Sequence, residues 1–241
     1  MLSSVTELDI PHRTSRIVQS MVEKADHEPW PSSTQNWVGQ EVLCYPGVAP
    51  VLPSSLVVLD VLRRHSLDGL SVLDFGTGTG VLTIGALRSG AARVVACDIN
   101  PLAVVAASAN LRRVGLDHRA EIVRANGFDN IHDRFDVVLA NLPLVDAETP
   151  PHRDFGLFDP GYLLHDLFFD ELGDYLTERG FAWVCHAELQ VGHSFKNFEN
   201  HVLAAGMMTN SLHESVVEGV TWRVYTIEMP TTILPPLAKS P

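Results

Sequence analysis

Between residues 71 and 181 short apolar runs alternate with longer stretches in which apolar positions recur every three or four residues. The runs at 71–75, 92–97, 120–124 and 135–140 predict strands, and the stretches at 79–88 and 100–114 predict helices. Asn100 as N-cap, Pro101 at the first helical position and Gly115 just past the end punctuate the second of these helices. Strands alternating with helices build a parallel sheet covered on both faces.

Further along, residues 161–178 and 191–205 predict helices and 181–186 a fifth strand. Residues 207–217 and 220–228 predict two strands joined at Glu218-Gly219. A closing hairpin makes one strand near an edge antiparallel. Upstream, Ile17, Val18, Met21, Val22 and Ala25 keep helical spacing, Pro29 to Ser33 break it, and a second helix follows from Ser54 to His65 behind Pro53. The expected fold class is therefore α/β: a doubly wound, seven-stranded, mostly parallel, Rossmann-like sheet. The expected organisation is an N-terminal helical cap or lid over 1–52, a ligand-binding domain over 53–229 and a flexible tail over 230–241.

Composition adds exclusions. The chain has 241 residues, 46% of them hydrophobic and 19% charged, ordinary values that exclude a mainly disordered or collagen-like chain. Seventeen Lys and Arg against 29 Asp and Glu give a net charge of −12. The pairs Arg63-Arg64 and Arg112-Arg113 read as solvated helix faces, so neither a nucleic acid nor a membrane surface is expected as a partner. Cys44, Cys97 and Cys185 have no C-x-x-C spacing, and the 11 histidines show no H-x-x-x-H pair, so neither a disulfide framework nor a metal site is expected. No apolar run approaches the roughly 20 residues of a membrane span, and the expected location is cytoplasmic.

The chemistry is concentrated at one strand end. Asp74-Phe75-Gly76-Thr77-Gly78-Thr79-Gly80 puts an acid and three glycines between the first strand and its helix. Glycines there allow a sharp turn and close ligand approach, but the dinucleotide fingerprint would need its third glycine where Val81 stands. A carboxylate opposes a pyrophosphate and suits a ligand carrying an ammonium and a sulfonium, which points to S-adenosylmethionine as cofactor. Asp98, with Ile99 beside it, closes the second strand, where a carboxylate can hold both ribose hydroxyls. Asn126-Gly127-Phe128 closes the third, where an amide and an aromatic could hold adenine. A plain turn remains the alternative for both glycine-containing loops.

These residues resemble class I S-adenosylmethionine-dependent methyltransferases, whose first motif is an acid followed by G-x-G-x-G and whose second is an acid closing the next strand. The resemblance covers residues 40–202. Within the class, Asn141-Leu142-Pro143-Leu144 after the fourth strand looks like the N-P-P-Y motif of the HemK-like amino-methyltransferases, and residues 45–50 resemble the segment preceding their core. The resemblance implies that the Asn141 side-chain oxygen and the Leu142 carbonyl accept N–H bonds from the target nitrogen, with Pro143 fixing the backbone. Leu142 and Leu144 depart from the motif by replacing a proline and the aromatic that stacks on a planar amide or base. They would instead supply an apolar floor. A strand-end cap is the alternative role for Asn141.

The aperiodic stretch 142–160, with His152 and Phe155, is expected to wall the acceptor side. Tyr45 near the N-terminal segment and His186 at the end of the fifth strand join it as candidate substrate contacts. Structural packing is the competing reading for His186 and for Cys185. The expected activity is methyl transfer to an amine of a small molecule or peptide. Intramolecular cyclisation of the cofactor with release of methylthioadenosine, and a non-catalytic cofactor-binding partner subunit, are the alternatives.

Overall fold

The computed structural model describes residues 33–37, 40–146, 156, 158–189 and 195–230. The 15–27 helix, Trp30 and residues 231–241 of the tail fall outside them. Strands β1 (Ser33–Trp37) and β2 (Gln40–Cys44) pair antiparallel, with Ser33 opposite Cys44. This hairpin stands where the sequence reading expected a loop within a helical cap. Val42 and Cys44 turn inward, an alternation too short to stand out from the surrounding pattern.

Helix α1 (Pro53–Arg64) starts with proline at its first position and buries Val57, Val58, Leu59, Val61 and Leu62. Then come β3 (Ser71–Phe75), α2 (Val81–Arg88), β4 (Arg93–Asp98), α3 (Pro101–Arg113), β5 (Ala120–Arg124) and β6 (Phe135–Ala140). The chain continues with α4 (Leu163–Tyr175), β7 (Leu176–Ala187), α5 (Phe195–Ala204), β8 (Met208–Val217) and β9 (Val220–Glu228).

The seven-stranded sheet has the order β5-β4-β3-β6-β7-β9-β8. β3 pairs parallel with β4 and β6, β4 with β5 and β6 with β7, while β9 runs antiparallel to both neighbours. This is a Rossmann-like, mostly parallel sheet whose strand order reverses between β3 and β6. Successive residues of the central strands feed opposite layers: Val72, Val137 and Leu139 pack with α1 and α2, and Leu73, Val138 and Ala140 with Phe168, Phe169 and Leu172 of α4. That two-sided burial explains why these strands read as continuous apolar runs.

The expected helix over 161–178 ends instead at Tyr175, and Leu176 begins a strand. The guanidinium of Arg134 donates to the Leu176 carbonyl at 2.8 Å, and Thr177 Oγ1 donates to Asp136 at 3.1 Å. Leu176 pairs with Phe135 across a register shift. These tertiary bonds outweigh the helical propensity of the segment. Among the described residues no helix is long and apolar enough to cross a membrane.

Candidate active site

At the end of β3 the chain turns through Gly76, Gly78 and Gly80 with φ of 74°, 53° and 80°, the left-handed region that glycine enters without strain. Gly76 N and Thr77 N both donate to the Cys97 carbonyl at 2.9 Å, Gly78 N to Asp98 Oδ2 at 2.9 Å and Gly80 N to the Thr77 carbonyl at 2.8 Å. The loop's amides at these four positions are thus spent inside the protein, leaving little to cradle a pyrophosphate.

Asp74 lies fully buried behind the loop. Its Oδ2 accepts from Thr77 Oγ1, Thr83 N and Thr83 Oγ1 at 2.7, 3.0 and 2.6 Å, and its Oδ1 has no hydrogen-bond partner. Burial pushes its pKa up, against the hydrogen bonds from Thr83 and Thr77. Asp74 therefore shapes the loop from behind and does not border the cleft, a correction to its expected place beside the ligand. Gly80 is likewise behind the loop, where a Cβ would come within 3.0 Å of the Ala107 backbone on α3.

Asp98 sits at the rim. One carboxylate oxygen takes Gly78 N and the other takes Asn100 N, each at 2.9 Å. Each oxygen keeps a lone pair for a further donor. Burial raises its pKa too. Asn100 caps α3 through Leu102 N at 3.0 Å and ties in the 45–50 segment by donating to the Gly47 carbonyl at 2.7 Å.

The cleft at this end of the sheet encloses about 300 Å³, within the size range of small-molecule sites. Of the expected cofactor residues, Gly76, Thr77, Gly78 and Thr79 line it, as do Asp98, Ile99, Asn126 and Gly127. Asn141, Leu142 and Pro143 line the same cleft from β6. Phe128 does not: it is stacked in the core on Tyr175, with centroids 4.3 Å apart, and against Phe75. Leu144 also points into the core, so the apolar floor is made by Leu142 without it.

On the acceptor side, Tyr45 packs behind the cleft wall on the cluster of Val48, Ala103 and Ala106 and does not itself line the cleft. His186 is buried against Phe198 with neither ring nitrogen bonded, and it does not reach the cleft. His152 and Phe155 lie outside the described residues. From the same aperiodic stretch Gly156, Phe158 and Pro160 do line it. The Asp159 carboxylate fixes this wall by accepting from Leu164 N, His165 N and His165 Nδ1.

Two groups of residues escaped the sequence reading. Val48, Pro50, Leu52 and Ser55 form the opposite wall; the only signal was the resemblance at residues 45–50. Buried Asn110 on α3 exchanges hydrogen bonds of 2.9 Å with the backbone N–H and carbonyl of Leu43, and gives another of 2.9 Å to the Thr79 carbonyl. One amide thus joins β2, α3 and the glycine loop.

Residues 53–146 match the family described as Ribosomal protein L11 methyltransferase (PrmA). The Ribosomal protein L11 methyltransferase of Pelotomaculum thermopropionicum is 39% identical over 89 residues, 37% of this chain and 29% of that protein. The Release factor glutamine methyltransferase of Agrobacterium fabrum is 31% identical over 146 residues, 53% of this chain and 50% of that protein. The chain thus spans half or less of these relatives' length. The T. thermophilus 16S rRNA methyltransferase RsmC, solved with AdoMet and guanosine, superposes with a TM-score of 0.61 at 21% identity over 84% of this chain and 51% of that one.

The sequence relatives correct the expectation of a small-molecule acceptor. The two sequence relatives are named for protein acceptors, and a neighbour in fold for an RNA. The acidic net charge averages over the surface and says nothing of one docking face, so by itself it does not bear on the acceptor class. The architecture is the Rossmann-like fold of S-adenosylmethionine-dependent methyltransferases, with its sequence likeness concentrated in the half that carries the glycine loop and Asn141.

Proposed function

We propose that this protein is an S-adenosylmethionine-dependent methyltransferase that places the methyl group on a nitrogen of a protein acceptor. One observation carries the reading: the glycine loop with Asp98, and the Asn141-Leu142-Pro143 turn, line one cleft at the point where the strand order reverses. The names of the two sequence relatives favour a protein acceptor, and Asn141 and Pro143 keep two positions of the N-P-P-Y motif.

The donor set fits the cofactor. The spare lone pairs of Asp98 would take the two ribose hydroxyls, Asn126 and Gly127 would border the adenine, and the acidic surroundings of the loop favour a cation. S-adenosylmethionine would supply a methyl carbon made electrophilic by its sulfonium. Asn141 Oδ1 and the Leu142 carbonyl would accept N–H bonds from the acceptor and aim its lone pair. On transfer the C–S electrons would stay on sulfur, and the methylated nitrogen, cationic as the bond forms, would release its proton to solvent water.

Among the described residues no side chain lining the cleft is suited to deprotonate the acceptor before attack. The titratable groups lining it among the described residues are Asp98 and Cys97, whose thiol burial pushes up to about 12. A nitrogen that enters unprotonated needs no such base, and the apolar wall of Leu142, Phe158 and Leu164 favours that form.

The test is incubation with methyl-labelled S-adenosylmethionine and purified ribosomal protein L11, a purified release factor, total protein or total RNA. The expected result is label in protein with one S-adenosylhomocysteine formed per methyl. Asn141→Ala should lower transfer by about 10²-fold while cofactor affinity changes less than about threefold. Label in RNA alone would overturn the acceptor class. Methylthioadenosine as the sole adenosine product would overturn methyl transfer.

A further inference from the structure

The Asn141 amide is gripped from behind. Its Nδ2 donates to Ser54 Oγ at 2.9 Å and to Ser55 Oγ at 3.4 Å. These serines are neighbours in the first turn of α1, and both are buried, with 4% and 8% of their surface exposed. An asparagine side chain has two N–H donors on one nitrogen and one carbonyl oxygen. Two hydroxyls on that nitrogen account for both donors. What Asn141 can present to the cleft it lines is then Oδ1, a pure acceptor.

The grip is firm because α1 is firm. Pro53 presets the first helical turn, Leu56 N bonds the Leu52 carbonyl at 3.2 Å, and Val57, Val58 and Leu59 anchor the helix in the core. Ser55 borders the cleft, whereas Ser54 does not. Whatever Ser54 does for the reaction therefore passes through Asn141.

We infer that Ser54, assisted by Ser55, is a positioning residue that holds the Asn141 amide with its oxygen toward the acceptor, making the site selective for nucleophiles that donate a hydrogen. Without it the amide can rotate and point its own N–H groups at the acceptor's, a donor facing a donor. The inference deepens the methyl-transfer reading and rests on it for its kinetic consequence, while the orientation of the amide can be read without any acceptor.

The test uses three variants of the full chain. Ser54→Ala removes the hydroxyl. Ser54→Cys keeps the size but offers a poor acceptor, and so serves if the alanine variant folds badly. Ser54→Thr keeps the hydroxyl. With the acceptor labelled in the preceding experiment, Ala and Cys should lower kcat by about tenfold and leave S-adenosylhomocysteine affinity within about twofold, and Thr should restore kcat to within about threefold. In nitrogen-15 spectra the Asn141 side-chain amide, assigned by its loss in Asn141→Ala, should exchange slowly in the wild type and rapidly in Ser54→Ala and Ser54→Cys.

Wild-type turnover in Ser54→Cys would overturn the inference, as would unchanged Asn141 amide signals whatever the rate does. If the wild-type protein labels no acceptor, the methyl-transfer reading fails and the amide signals alone decide whether Ser54 orients Asn141.

Discussion

At the scale of single residues, Asp98 does two things with one carboxylate. It ties Gly78 and Asn100 to the end of β4 and keeps acceptor capacity for a ligand. Asp98→Ala should weaken S-adenosylhomocysteine binding by about 1 to 3 kcal/mol, the cost of leaving buried hydroxyls unpaired, and calorimetry that finds unchanged affinity would remove Asp98 from the site. His186 is the opposite case, a titratable group that the proposed chemistry leaves unused. Burial, with His165 nearby, pulls its imidazole down to about 3. Between about pH 6.5 and that value the unfolded chain holds a proton that the folded chain lacks. The contribution is therefore complete above about pH 6.5 and is lost as pH falls through the window. His186→Leu should flatten the fall of Tm between pH 7 and 4, and parallel curves for the two proteins would contradict this.

At the scale of elements, the cleft is assembled by polar staples between units that are distant in sequence. Asn110 is the clearest: three hydrogen bonds from a 1%-exposed side chain join β2 and the glycine loop to α3. Asn110→Ala strands the Leu43 and Thr79 backbone groups, and it should cost about 1 to 3 kcal/mol of stability and loosen cofactor binding together. Denaturant titration showing a smaller loss would mean that water replaces the amide. Such staples explain what was legible. The strands and the Asp74-to-Gly80 loop show in the sequence because periodicity and turn chemistry are local. Phe128 and Leu144 look like cleft residues by position, yet strand-end geometry turns them inward. Ser54, Ser55 and Asn110 look like ordinary helix residues until tertiary contact brings them to Asn141, Leu43 and Thr79. The β1–β2 hairpin and the early start of β7 were hidden for the same reason, since their partners decide them.

At the scale of the molecule, two half-sheets diverge from β3 and β6, and the crevice between their ends collects the glycine loop, Asp98 and Asn141 in about 300 Å³. On the proposed reading the same reversal separates the work: the loop after β3 and the end of β4 would hold the cofactor, and the turn after β6 would meet the acceptor. The central claim is that this crevice holds S-adenosylmethionine, and it stands or falls without knowing the acceptor. Calorimetric titration of the full chain with S-adenosylhomocysteine tests it most directly. The account predicts one site per chain with a Kd in the micromolar range, about −8 kcal/mol, weakened in Asp98→Ala. No saturable heat up to about millimolar ligand, or equal binding by the wild type and Asp98→Ala, would contradict it.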